Sequence, residues 1–455
     1  VGMIIRSRFS EQFVLRVPSE YDYHFSSPRV AEVTHVLQRL HAEAGEGAGG
    51  AGGGPALEVR FVDDKDLTVH AITKAKAGAP GAAKPARRPS AAQVAKDMGN
   101  LGLGGEGRSR APTVMHFSRE KGKQVDLDDF ELLKVLGKGS FGKVLQVKKK
   151  DTKEIFAMKI LHKDAVLERN QLEHTKAERH ILESVQHPFL VGLRYAFQSE
   201  AKLYMVLDFL NGGELFFHLK ASGRFSEARA KLYGAEILLA LGHLHSLDIV
   251  YRDLKPENIL MDAEGHVRLT DFGLAKEQVS DNSSAQTFCG TPEYLAPEVL
   301  TSQGHGRAVD WWSLGTLIYE MMCGLPPFYD QNVNKMYNKI VKAPLVFPDY
   351  FSNDAKDMLA KLLDRDPHKR LGSGPTDIEE IKSHPYFSSI DFDKLMRKDI
   401  KPPFKPNVAD GQDVQNFDTC FTLEEARDSV VAAPAGKADT SNFDGFTFVP
   451  KNNLG

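Results

Sequence analysis

Apolar and polar residues alternate from 130 to 147 around a cluster of glycines, and 155–161 resumes the alternation, which predicts successive β-strands. From Phe225 onward apolar positions return every three or four residues, the spacing of helices that bury one stripe. A strand-rich front and a helix-rich rear predict a two-lobed α+β unit over residues 130–387. Ahead of it, 12–17 and 57–62 read as strands. The segment 28–42, with Val33, Val36, Leu37 and Leu40, has helical spacing. Two stretches break the pattern: 43–56, nearly all Gly, Ala and Glu, and 74–112, rich in Ala, Gly, Pro, Lys and Arg. Neither can bury enough apolar surface to offset the entropy of ordering. After Phe387 a tail rich in Pro, Phe and Asp shows little periodicity and ends in Phe443, Phe446 and Phe448. The expected parts are therefore a small unit at 1–73, a linker at 74–129, the large unit at 130–387 and the tail at 388–455.

Charge and cysteine content narrow the partners. With 58 basic and 61 acidic residues the chain carries a formal charge of −3, too close to neutral to demand nucleic acid or a membrane as partner of the whole molecule. Cys289, Cys323 and Cys420 are odd in number and lack metal-ligand spacing, which argues against a disulfide framework or a zinc site and for a reducing, cytoplasmic setting. No apolar run approaches the ~18 residues of a membrane span, and Met3-Ile4-Ile5 is too short for a signal-peptide core. The first residue is Val1, so whether the sequence begins inside a longer chain stays open.

Chemistry enters with the run Leu136-Gly137-Lys138-Gly139-Ser140-Phe141-Gly142-Lys143-Val144. Its glycines let backbone N–H groups approach a phosphate without side-chain obstruction. By itself such a loop would serve a hairpin turn or a dinucleotide site equally well. A dinucleotide site opens directly into a helix, whereas here a strand with Ala157 and Lys159 follows. Glu178 falls in the helical pattern 174–182, and a Lys159–Glu178 pair would hold the lysine amine on the α- and β-phosphates of ATP. Tyr251-Arg252-Asp253-Leu254-Lys255-Pro256-Glu257-Asn258 and Asp271-Phe272-Gly273 complete a set. Asp253 can accept the proton of a substrate hydroxyl, Asn258 and Asp271 can hold Mg2+ on the phosphates, and Lys255 can neutralise the transferred phosphoryl group.

With these residues in order, the chain resembles the eukaryotic protein kinases, with Tyr251 standing where His is commoner. The unit closes at Ala296-Pro297-Glu298, Asp310-Trp311-Trp312 and Lys369-Arg370-Leu371. Thr287 to Glu298 resembles the activation segment of the AGC group, and Leu203 to Glu214 its hinge. Serum- and glucocorticoid-regulated kinases and Akt are the nearest likeness. The resemblance implies a bilobal kinase fold and ATP with Mg2+ as cofactors. It also implies that the backbone of Asp208 and Leu210 binds adenine beside Leu207, and that Arg252 receives a phosphate on Thr287. Lys255 with Thr291 implies serine/threonine specificity. Glu214, Glu257 and Glu320 match positions that receive arginines upstream of the target residue, which implies protein substrates with Arg-rich motifs.

The tail resembles the regulatory tail of the same group: 443–448 looks like its hydrophobic motif, with Thr447 as phosphate acceptor. Ser429 matches its turn-motif site, although Val430 replaces the proline found there in Akt. Upstream activators of the phosphoinositide-dependent kinase and target-of-rapamycin complex types are implied. Residues 13–23, 28–42 and 57–61 resemble the end of the tail homology domain of class I myosins, with its pleckstrin-homology-like core. That likeness implies anionic phospholipid as a partner and recruitment to membranes; a small protein-binding or packing module fits the same residues. Lys74, Lys76, Lys84, Arg87 and Arg88 would assist an anionic surface. Ser90, preceded by two arginines, has the form of a basophilic target.

Overall fold

The computed structural model describes the backbone of 2–6, 12–16 and 58–62, and residues 125–139, 141–277, 290–302, 304–428 and 440–450. Contacts divide the chain into units 1–118 and 119–455. In the first, β1 (Gly2–Arg6), β2 (Gln12–Arg16) and β3 (Glu58–Val62) form an antiparallel sheet in the order β2-β1-β3. Strand β1 was not anticipated from the sequence, because its apolar core of Met3-Ile4-Ile5 is too short to show a period. The helix expected at 28–42, the linker up to residue 124 and Ser90 lie outside the described residues.

The second unit opens with a five-stranded antiparallel sheet ordered β4-β5-β6-β8-β7: β4 (Phe130–Gly139), β5 (Gly142–Lys149), β6 (Ile155–His162), β7 (Leu193–Gln198) and β8 (Lys202–Asp208). Period-two alternation on β6 buries Phe156, Met158 and Ile160 on one face, which puts Ala157 and Lys159 on the other. Register then sets Lys159 opposite Val144 on one side and Met205 on the other, and Ala157 opposite Leu207. Two helices interrupt the sheet between β6 and β7, α1 (Lys163–Glu168) and α2 (Leu172–Ser184).

The rear lobe is helical. It begins with α3 (Leu215–Ser222) and α4 (Glu227–Ser246), the latter capped by the Ser226 side chain accepting from the N–H of Arg229. Helix α4 is buried along most of its length, as is α6 (Ala308–Cys323), and the two pack closely where Gly234 lies against Ile318. The short α5 (Pro297–Leu300) precedes α6. Gly324, in the left-handed region at φ 89, ends α6. Between α4 and α5 run the short antiparallel strands β9 (Ile259–Met261) and β10 (Val267–Leu269). Among the described residues no helix is long and apolar enough to cross a membrane.

Candidate active site

The site lies where the sheet meets the helical lobe. Lys159 Nζ on β6 is 2.6 Å from Oε1 of Glu178 on α2 and 3.4 Å from Oδ1 of Asp271. Burial works against the charge on Lys159, but the carboxylates of Asp271 and Glu178 outweigh it and hold the amine above its ordinary value. The Lys159 charge in turn holds Asp271 below the usual carboxylate range. Phe272 is buried against Tyr251, with ring centroids 5.6 Å apart, and the Tyr251 hydroxyl donates to the Thr270 carbonyl. Tyr251, in place of the commoner His, thereby pins the strand that leads into Asp271.

The loop after α4 supplies the reacting groups. Asp253 Oδ2 accepts from the Asn258 amide at 2.8 Å, and Lys255 Nζ lies 3.2 Å from Asp253 Oδ1 and 3.1 Å from Thr291 Oγ1. Burial pushes the Asp253 carboxyl up, against the pull of Lys255, which suits a group that must accept a proton. The amide nitrogen of Asn258 is committed to Asp253, so its oxygen is the atom left for a cation. Asp271, half-exposed with a side-chain accessibility of 49%, could offer a second oxygen ligand. This donor set of carboxylate and carboxamide oxygens fits a hard divalent cation that keeps waters and phosphate oxygens as its other ligands.

Above the cleft the glycine run forms the β4–β5 hairpin, with Gly139 opposite Gly142. A Cβ at Gly137 would meet nothing within 4 Å, so the open space it leaves is room for phosphate. A Cβ at Gly142 would lie 1.7 Å from the Ile160 carbonyl, so Gly142 serves the approach of β5 to β6. Ser140 lies outside the described residues. Lys138 pairs with Glu424 at 2.6 Å, and Lys143 donates to the Arg427 carbonyl, so their amines face the tail and only their backbone N–H groups could serve a nucleotide. The Asp208 N–H donates to the Gly192 carbonyl at 3.1 Å, so of the groups expected at adenine its carbonyl and the Leu210 N–H are the ones that could meet a base. Leu136, Leu207 and Leu210 are buried around this slot, with Phe141 and Val144 half-buried.

Three acids gather at the mouth. Burial pushes the Glu320 carboxyl up to about 7; at Glu214 the surrounding protein, rather than full enclosure, pushes the same way, and the charge of Glu257 adds to both shifts. Glu214 stays open to solvent, whereas Glu320 is buried and accepts from the Tyr294 hydroxyl.

The tail closes over the small lobe. Phe443 and Phe446 are buried, Thr447 is exposed, and Phe448 pairs with Ala196 on β7 through two backbone hydrogen bonds of 2.7 and 3.0 Å. Arg179, adjacent to Glu178 on α2, donates to the Phe446 carbonyl at 3.1 Å and the Thr447 carbonyl at 3.4 Å. Arg179 escaped the sequence reading, since its partners lie 267 and 268 residues away. Thr287 and Ser429 lie outside the described residues; Asp428, just before Ser429, is held by Lys202 at 2.6 Å and Tyr204 at 3.1 Å.

A family pattern for the protein kinase domain matches residues 130–387, and one for the protein kinase C-terminal domain matches 408–448. The chain belongs to the protein kinase family. It is an AGC-group serine/threonine protein kinase, similar to the serum- and glucocorticoid-regulated type. It is 58% identical over 348 residues to "Protein kinase 2" of Dictyostelium discoideum, covering 75% of this chain and 71% of that one. Against "Serine/threonine-protein kinase YPK1" of Saccharomyces cerevisiae it is 52% identical over 339 residues, 74% of this chain but half of the yeast protein. Against human "Serine/threonine-protein kinase Sgk2" it is 48% identical over 374 residues, 81% of this chain and 98% of the human one. Use of ATP with a divalent metal, protein substrates and control by upstream kinases belong to this family in general.

Proposed function

We propose that this kinase transfers the γ-phosphate of magnesium-ATP to Ser or Thr in proteins that carry arginine upstream of the target, and that phosphate on Thr287 and Thr447 sets its activity. The acidic mouth carries the specificity reading. Glu214, Glu257 and Glu320 come from three separate elements, and Glu257 raises the carboxyls of both others, so the three charges repel at close range. Asp418 of the tail adds to the repulsion at Glu214. A guanidinium bound among them relieves it and can take carboxylates bidentately. For regulation, the support is Arg252, whose Nε donates to the Leu274 carbonyl at 2.8 Å while its buried Nη1 has no hydrogen-bond partner among the described residues. A phosphate near −2 in charge would supply one.

The test compares Glu214→Gln with wild type on two peptides that differ only in an arginine three residues before the target. A hydrogen bond to a charged group is worth about 1.5–3 kcal/mol when shielded, and solvent at Glu214 reduces this to about 1, so kcat/KM on the arginine peptide should fall about fivefold. The other peptide should be unaffected. Equal losses on both would make Glu214 a structural residue and sink the reading.

A further inference from the structure

The ring of His245, in the last turn of α4, is fully buried between two carboxylates. Its Nε2 lies 3.0 Å from Oδ2 of Asp310 on α6, and its Nδ1 lies 3.0 Å from Oδ2 of Asp377, in the loop that follows Arg370. A neutral imidazole has one N–H and one lone pair and can donate to only one of them. Its other nitrogen would then turn a lone pair on a carboxylate oxygen out of reach of water, a repulsive arrangement. An imidazolium donates to both. Burial opposes that charge, and the hydrogen bonds to Asp310 and Asp377 outweigh it, so the ring is held above the ordinary histidine value.

Asp310 has a second commitment. Its Oδ1 accepts from the Arg252 N–H and its Oδ2 from the Tyr251 N–H, each at 2.8 Å. These peptide groups lead directly into Asp253, and Arg252 sits at φ 66, a conformation that a side chain larger than glycine keeps only when its surroundings enforce it. Asp377 also accepts from Trp311 Nε1 at 2.8 Å, and Trp311 packs edge-on against the His245 ring at 4.6 Å.

We propose that Asp377 is a positioning residue for phosphoryl transfer: with Asp310 it keeps His245 an imidazolium that donates to both, and the ring so held fixes the Asp310 side chain on the two N–H groups that aim Asp253. The chain of contacts runs from Asp377 through His245 and Asp310 to the backbone of the catalytic loop. The ring itself faces Asp310 from α6 and Asp377 from the later loop. Asp310 is also sensed by the His305 imidazole and the Tyr251 phenol, while the Arg252 guanidinium is turned to the Leu274 carbonyl.

The experiment uses the full chain and Asp377→Asn, which keeps the size and an acceptor for Trp311 while removing the charge. Loss of one nearby opposite charge lowers the pH at which an imidazolium ionises by about 1–3. With 15N-labelled histidine, wild-type protein at about pH 8, above the ordinary imidazole value, should retain a ring with protons on both nitrogens, and the variant should lose it. On a peptide substrate, kcat of the variant should match wild type at about pH 6.5 and fall about tenfold by about pH 8, with KM for ATP within about twofold throughout. A loss of the same size at every pH would make Asp377 merely structural and overturn the proposal. So would a wild-type spectrum without any doubly protonated ring at that pH, a result that decides the matter even if the variant fails to fold.

Discussion

Replacing Phe446 by Ala should undock the tail and loosen the nucleotide site at a distance. Phe446 is 4% exposed, and truncating a buried Phe to Ala costs about 3–5 kcal/mol, so the docking equilibrium should fall by about two to nearly four orders of magnitude. The remaining anchors are the buried Phe443 ring, the two backbone bonds between Phe448 and Ala196, and the Gln198 amide on the Phe443 carbonyl at 2.9 Å. They are too few to restore the dock fully, because each hydrogen bond nets only about 0.5–1.5 kcal/mol. Release of the tail frees Arg179 from the Phe446 and Thr447 carbonyls, and Arg179 adjoins Glu178, the partner of Lys159. Two measurements on the purified protein follow: hydrogen exchange at the Ala196 amide, and initial rates across an ATP titration. The expected result is loss of protection at Ala196 together with a raised KM for ATP and a lower kcat. An exchanged Ala196 amide with unchanged kinetics would refute the coupling of tail to site. Unchanged exchange would refute the assignment of the docking energy to Phe446.

The other expectations are quickly stated. Asp253→Asn and Lys159→Met should each keep the fold, as read by thermal unfolding, and lower phosphotransfer by roughly three orders of magnitude or more, since each removes a charge at the reacting centre. Arginine preference should depend on pH: carboxyls with values near 7 are ionised above that pH and protonated below it. The KM for an arginine-containing peptide should therefore rise as pH falls from about 8 to about 6 while that for an arginine-free peptide stays flat, and the buried Glu320 sets most of the profile. Gly142→Ala should lower the melting temperature, because its Cβ would sit 1.7 Å from the Ile160 carbonyl, whereas Gly137→Ala, with nothing within 4 Å, should leave it unchanged. Equal melting temperatures for the two variants would contradict the packing role of Gly142.

Much of this protein was readable in its sequence because the chemistry is carried by short motifs whose parts act within a few residues of one another. The glycine run, Asp253 with Asn258, and Asp271 with Gly273 bring their own loop geometry, and period two alone sets Ala157 and Lys159 on the face of β6 opposite the buried Phe156 and Met158. Strands β7 and β8 were not separated by pattern, since β8 is buried along nearly its whole length and shows no alternation. Tertiary structure alone decided which charges meet. Lys138 and Lys143, read with the phosphate loop, send their amines to Glu424 and Arg427 of the tail, and Arg179 and His245 gained roles that no local spacing announces. His245 and Asp377 are 132 residues apart, and each by itself is an ordinary polar residue. Their meeting is settled only when α4, α6 and the loop after Arg370 close together, because a buried polar group is held by the few groups within hydrogen-bonding distance, and sequence does not show which groups those are.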